Sequence, residues 1–509
     1  MELELDRIQL RGFQTVLETT LYHEETMEMI VPDACPDILR IVDTEASVCV
    51  RDKSADEGRV ELSGTVQAIV LYLPDGESGV RCLPVKIPFR CMSDSAVIHA
   101  DCSVVVSPQV QSADTRSLNP RKVLVRVNLA VGVKAYRPIA DSLCCGVLEA
   151  NSTGVEQMVE EQENYSVVCV QEKPFTFSDE LTLSSGRPEV AQLLKTGIGL
   201  NCSESKVIGN KLIIKGTAAV RLFYRATTDQ LCTAEHEMVF SQIMEVSDCG
   251  EDVTCMLEML LGEVECTVLP SGDGRVVSVQ MEVLAQAVLW EKRRFKILTD
   301  LYSTCHKVRP NSQNYNLQRL LEQGVKTQTV RETIDTATLA REVCNTYVCL
   351  SCCEQKREGN QVILSVQACV TVLYSTEDAG LQSVSRQIPV TCAMDLAEMC
   401  VCSCTCRCAG EVYAVPTAGG LEVRFGVDFH FMARAVRQMA GVCGVEMEEE
   451  DQSAGGEKPS VILRRTERGE RLWDIAKSYR TTVNDIKSAN DLGEEEQMNN
   501  RLLLIPKKR

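Results

Sequence analysis

No stretch of this chain approaches the roughly 20 consecutive apolar residues that a bilayer-spanning helix needs. Its start, Met1-Glu2-Leu3-Glu4-Leu5-Asp6, has neither the basic opening nor the apolar run of a secretory signal, so the expectation is a protein that stays in the cytoplasm. Histidine is scarce: of His23, His99, His236, His306 and His430, none stands beside a second ligand at metal-binding spacing. There is no G-x-S-x-G elbow, no P-loop and no H-E-x-x-H, and the chain shows no acid and base pair suited to glycan hydrolysis. An enzyme is not expected. Basic charge is also in deficit, with 53 Lys/Arg against 72 Asp/Glu and a net charge of −19, which disfavours binding to a phosphate backbone.

What the chain has in abundance is length and cysteine. At 509 residues it exceeds one hydrophobic core, and domains of roughly 100–200 residues would divide it into three or four. Twenty-six cysteines in a short secreted chain would signal a disulfide scaffold; in a long chain without an export signal they read as reduced thiols used as small apolar side chains, with later cross-linking or metal binding left open. The densest run is Cys400-Val-Cys402-Ser-Cys404-Thr-Cys406-Arg-Cys408, with Cys392, Cys349, Cys352 and Cys353 in the same region. Thiols on alternate residues share one side of a strand and do not wrap an ion as C-x₂₋₄-C spacing does. The expectation is a buried strand face and no bound metal, and no cofactor is expected elsewhere.

Three segments repeat. Gly58-Arg-Val-Glu-Leu-Ser-Gly64 leading to Tyr72, Asn210-Lys-Leu-Ile-Ile-Lys-Gly216 leading to Tyr224, and Asn360-Gln-Val-Ile-Leu-Ser-Val366 leading to Tyr374 set the three tyrosines 152 and 150 residues apart. Pro36-Asp37-Ile38 falls 152 residues before Pro188-Glu189-Val190, and Phe89, Phe240 and Val390 follow their tyrosines by 17, 16 and 16 residues. Within each copy apolar and polar residues alternate, as in Val123, Val125 and Val127, and turn signals such as Pro74-Asp75-Gly76 separate the runs. The fold class expected is mainly β: three units of sandwich-like or curved antiparallel sheet over residues 1–150, 151–310 and 325–445. Pro36-Asp37 with Ile38 and Ile41 predicts a short helix.

An acidic, small-residue segment at 446–459 reads as a flexible linker. Beyond it, residues 460–509 hold 11 Lys/Arg against 8 Asp/Glu, a local +3 that leaves −22 on the rest. Leu472, Ile475, Ala476 and Tyr479, then Val483 and Ile486, recur at helical spacing between two strand-like ends, giving a β-α-α-β order. The run Gly469-Glu-Arg-Leu-Trp473-Asp-Ile475-Ala476, then Thr482-Val483 and Ile505-Pro506, closely resembles the LysM domain. That resemblance implies a shallow groove for N-acetylglucosamine glycans, corresponding here to Gly469, Glu470, Arg471, Leu472, Asn490 and Leu492. Glu470-Arg471 stands where the family has Asp-Thr, and Asn499-Asn500 where it has Pro-Gly. Trp473 is expected in the module's core.

Val31-Pro-Asp-x-x-Pro-Asp-Ile38, followed by the Gly64-to-Tyr72 strand, resembles the SPOCS domain of endospore-forming Firmicutes. Three such units ahead of a LysM imply a non-enzymatic coat or envelope morphogenetic adaptor at the forespore surface in the mother-cell cytoplasm. The implied partner is a SpoIVA-like coat ATPase scaffold protein, with peptidoglycan glycan as the alternative ligand.

Overall fold

The computed structural model describes residues 3–148, 154–247, 249–250, 252–377, 380–396, 398–448, 460–493, 497–498 and 500–507. Alternating sequence becomes strand almost throughout. The first unit comprises β1 (Leu5–Ile30), β2 (Ile38–Asp56), β3 (Arg59–Pro74), β4 (Arg81–Asp94), β5 (Ser103–Asn119) and β6 (Lys122–Val147). The second comprises β7 (Val155–Thr182), β8 (Val190–Ile208), β9 (Lys211–Ala226), β10 (Leu231–Glu245), β11 (Val253–Val268) and β12 (Val276–Ser303). The third has β13 (Lys307–Ile334), β14 (Glu342–Leu350), β15 (Glu354–Glu358), β16 (Gln361–Ser375), β17 (Leu381–Asp395), β18 (Val401–Thr417) and β19 (Gly420–Glu448). No helix among the described residues is long and apolar enough to cross a membrane.

Each unit is a sandwich of two antiparallel sheets, and edge pairing of β1 with β7 joins one sheet of the first unit to one of the second as a six-stranded sheet. In the first, β2-β3-β4 faces β1-β6-β5; in the second, β8-β9-β10 faces β7-β12-β11; in the third, β14 and β15 share the place of one strand beside β16-β17, facing β13-β19-β18. Tyr72, Tyr224 and Tyr374 occupy the same place on β3, β9 and β16, buried between the sheets. Inward residues of the facing strands, such as Val60, Leu62 and Val125 in the first unit, close a separate core in each unit.

The equivalence extends to irregularities. The long strands β1, β7 and β13 carry a bulge opposite Ala135/Tyr136, Leu289/Trp290 and Ala433/Arg434 respectively, and a second irregularity sits near Cys145, Thr299 and Cys443. Both sets obey spacings of 154 and 144 residues. A bulge bends its strand and sharpens the local twist, so each long hairpin turns at the same point and leaves its own sandwich for the neighbours.

The units therefore interlock. Leu71, Phe223 and Leu373, each preceding its landmark tyrosine, meet in one cluster with Val42 and Leu194. Beside them Lys195 of the second unit forms a buried ion pair with Asp43 and bonds Glu45 at 3.0 Å, both from the first, while Tyr347 of the third donates to Asp43 at 3.2 Å. At a second meeting point the equivalent residues Tyr136, Trp290 and Arg434 come together, with the guanidinium 4.2 Å from the Trp290 ring centroid and Tyr165 stacked on the same indole. Three units of the same topology thus meet at shared centres in which equivalent positions hold different residues.

One expectation needs correction, and two boundaries can be read from the strands. Residues 31–37 are a turn, not a helix: the Cys35 amide closes on Pro32, and the Val31 and Ile38 amides donate to the carbonyls of Arg121 and Pro120. Arg121 then holds the turn through Cys35, Val31, Asp37 and Asp33. The strand β13 runs from Lys307, so residues 311–324 are strand. Finally, β19 runs on to Glu448 through the start of the acidic segment; the rest of that segment, 449–459, lies outside the described residues.

Candidate functional site

The tail folds as β20 (Val461–Arg465), β21 (Glu470–Arg471), α1 (Leu472–Tyr479), α2 (Val483–Ala489), β22 (Gln497–Met498) and β23 (Leu502–Pro506), with β20 antiparallel to β23. Leu472, Ile475, Ala476, Ile486, Leu503 and Ile505 fill its core. Arg471 at the start of α1 supplies no side-chain cap; in place of one, its guanidinium pairs with Asp474 in the first turn at 2.9 Å. Thr482 caps α2 by accepting from the Asp485 amide.

The six groove residues divide. Gly469 has φ +80°, a left-handed turn conformation that favours glycine. The Glu470 carboxylate accepts from Arg464 at 2.5 Å and from the Glu467 amide at 3.1 Å. Asn490 is bound inward: its amide nitrogen donates to the Ile486 and Leu504 carbonyls, and its carbonyl accepts from the Leu504 amide. Leu472 is 1% exposed and belongs to the core, out of reach of a ligand, and Leu492 packs at the core's edge. Arg471 faces solvent, held by Asp474 alone among the residues that bond its guanidinium. Of the pair standing in place of Pro-Gly, Asn500 takes φ +49° and Asn499 lies outside the described residues.

A set of residues that sequence reasoning missed seats this module on the second unit. The Trp473 indole N–H donates to Asp300 at 2.8 Å, Lys477 donates to the same carboxylate at 2.6 Å, and Tyr302 donates to the Thr481 carbonyl at 2.8 Å. The rings of Tyr302 and Trp473 meet edge to face, 4.9 Å between centroids. Tyr302 counts as a member of the module's own core although it belongs to β12. Trp473 is thus a bridge between module and body rather than an internal residue alone. No local pattern in the sequence marks Asp300 or Tyr302, which lie some 160 residues before the module.

The cysteine run forms β18, and its thiol side faces the third unit's core, with Cys402 and Cys406 buried. Cys404 is half-buried and Cys408 exposed. Cys353, from the three-residue gap between β14 and β15, brings its sulfur to those of Cys404 and Cys406, all three within 4.8 Å of one another. Their proximity to one another pulls the Cys353 thiol below its ordinary range and pushes those of Cys404 and Cys406 above theirs.

Comparison with known families matches the SipL SPOCS domain to residues 37–117 and again to 189–269, and the LysM domain to 466–495. The chain therefore carries two matched SPOCS domains and a LysM domain on a repeated β scaffold. In that combination it resembles SipL. Both SPOCS matches begin at the acidic residue after the landmark proline, Asp37 and Glu189. No curated protein and no solved structure matches the chain.

Proposed function

We propose that the protein is a non-enzymatic adaptor of endospore coat or envelope assembly, acting at the forespore surface in the mother-cell cytoplasm. The three-unit body is the part built into the shell, and the LysM module docks on a SpoIVA-like coat scaffold. The observation that carries this reading is the disposition of the module's polar and aromatic groups. Trp473, the aromatic best suited to stack on a sugar, is turned onto Asp300 and Tyr302, and the Glu470 and Asn490 side chains are satisfied within the module. Arg471 remains on the outer surface of a module carrying a local +3, which suits an acidic protein partner.

The glycan alternative rests on the LysM match itself. A pull-down of the full chain with the scaffold, set beside binding to N-acetylglucosamine oligomers, separates the two. Arg471→Glu should weaken scaffold capture at least several-fold while far-ultraviolet circular dichroism stays unchanged. Micromolar binding to the oligomers with no scaffold capture would replace the adaptor reading with a peptidoglycan-binding one.

A further inference from the structure

The thiols of Cys404 and Cys406 lie on one strand, and two ligands on one strand face cannot surround an ion. A third thiol arrives from elsewhere. In the first unit β2 runs unbroken for 19 residues with a register shift between Val50 and Asp52, and in the second β8 runs 19 residues with a shift between Cys202 and Glu204. At the corresponding point the third unit opens the strand altogether, leaving Ser351, Cys352 and Cys353 between β14 and β15. By the 152- and 150-residue spacing Cys353 takes the place of Arg51 and Ser203.

The other two thiols are also peculiar to this unit. Cross-strand register puts Cys404 and Cys406 opposite Phe431 and Phe429, the places where Val106 and Pro108 face Val133 and Val131, and Leu257 and Met259 face Ala287 and Ala285. Neither of the other units has a thiol at any of these positions. Use of cysteine as a generic small core residue does not explain why all three substitutions converge on one spot.

We propose that Cys353, Cys404 and Cys406 form a binding site for a thiophilic d¹⁰ cation, Zn²⁺ in the first instance. Zinc–thiolate bonds of about 2.3 Å place tetrahedral sulfurs about 3.8 Å apart, so the observed sulfurs need to draw in by only about half an ångström each. Small rotations about χ1 accomplish that. Three thiolates leave one vertex, and it faces a recess of about 370 Å³ whose walls include Cys352, Cys402, Gln355 and Thr405. Glu18, on the same wall, is paired with Lys134 at 2.8 Å and is the weaker candidate for that vertex. Water or the Cys352 thiol completes the set. The ion would close the gap between β14 and β15 onto β18, a staple in the one unit whose second strand is broken.

The test is metal content of the full chain, purified with reductant and without chelator. One zinc per chain is expected, released in proportion as a mercurial titrates the thiols, and Co²⁺ exchange should give thiolate-to-cobalt charge-transfer absorption. Cys353→Ser and Cys404→Ser should each reduce bound zinc at least tenfold, whereas Cys408→Ser, on the same strand but exposed, should retain it. Zinc-free wild-type protein that gives no cobalt band overturns the site, as does zinc that survives Cys353→Ser. A mass two hydrogens short that maps to a Cys353 disulfide in freshly lysed cells also overturns it.

Discussion

In the first and second units a glycine faces a phenylalanine across the central ladder, Gly64 against Phe89 and Gly216 against Phe240; in the third the pair is Val366 against Val390. A Cβ on Gly64 would sit 2.7 Å from the Phe89 ring and 2.2 Å from the Cys49 carbonyl oxygen, and one on Gly216 meets Phe240 and the Asn201 carbonyl as closely. Exchanging the ring for valine removes only the first of those clashes. The third unit removes the second as well by opening the strand at 351–353. The same unit lacks the proline and arginine clamp: Arg121 holds the Asp37 turn and Arg275 the Glu189 turn, where the third has Gly419 at the matching position. Relaxed packing, a broken strand and a new thiol cluster occur together. The third unit's neighbours bond it directly, Arg40 to the Leu381 carbonyl and Arg221 to the Thr346 carbonyl.

That contrast can be broken most severely where the three units meet. Lys195→Met should cost about 4 kcal/mol, because Asp43 stays buried without its counter-charge. Urea unfolding should nevertheless remain a single transition, and a separate early transition of the second unit would show that the units stand alone. Pairing it with Asp43→Leu should restore most of the loss. Burial alone would push the Lys195 ammonium down, but Glu45 and Asp43 outweigh it and hold it above its ordinary 10.5. Its contribution is therefore complete below that value and lost as pH rises through the folded-state value, steepening the alkaline limb of a stability profile in a way that Lys195→Met abolishes.

Gly64→Val should come next, at about 3 kcal/mol. Adding Phe89→Val should not rescue it, since the Cys49 carbonyl still obstructs; full rescue would mean that the open strand of the third unit is irrelevant to its valine pair. Asp300→Ala should cost about 1–2 kcal/mol of the contact between module and body. The readout is faster proteolysis between body and module, with the module's own amide protection intact. The smallest effect is expected at the clamps: Arg121→Met should destabilise by about 1 kcal/mol in thermal melts, and Arg275→Met by less, since it makes fewer contacts.

Period-two alternation and the recurrence of one tyrosine made the three β units legible, because a strand's inward face is written in every second residue. The LysM module was legible because its core pattern is local: Leu472, Ile475, Ala476 and Ile486 lie within 15 residues and pack on one another. The helix expected at Pro36 failed for the opposite reason. A proline followed by an acid satisfies a helix start, but amides already claimed by Pro120 and Arg121 hold the segment as a turn, and those partners lie some 80 residues away. Local pattern is equally silent on two members of the groove set: Leu472 is taken into the core and the Asn490 side chain is bonded to Leu504 of β23.

The sequence by itself determined the β character, the small α+β module and the strand of alternating cysteines, all features of near neighbours along the chain, and the threefold repetition, a local pattern that recurs at a near-constant interval. Only the tertiary structure decided that equivalent positions meet at shared centres, that Trp473 rests on Asp300, and that Cys353 joins Cys404 and Cys406. Those contacts join residues tens to hundreds of positions apart, and nothing in the local period of a strand or helix specifies which distant partner will be folded against it.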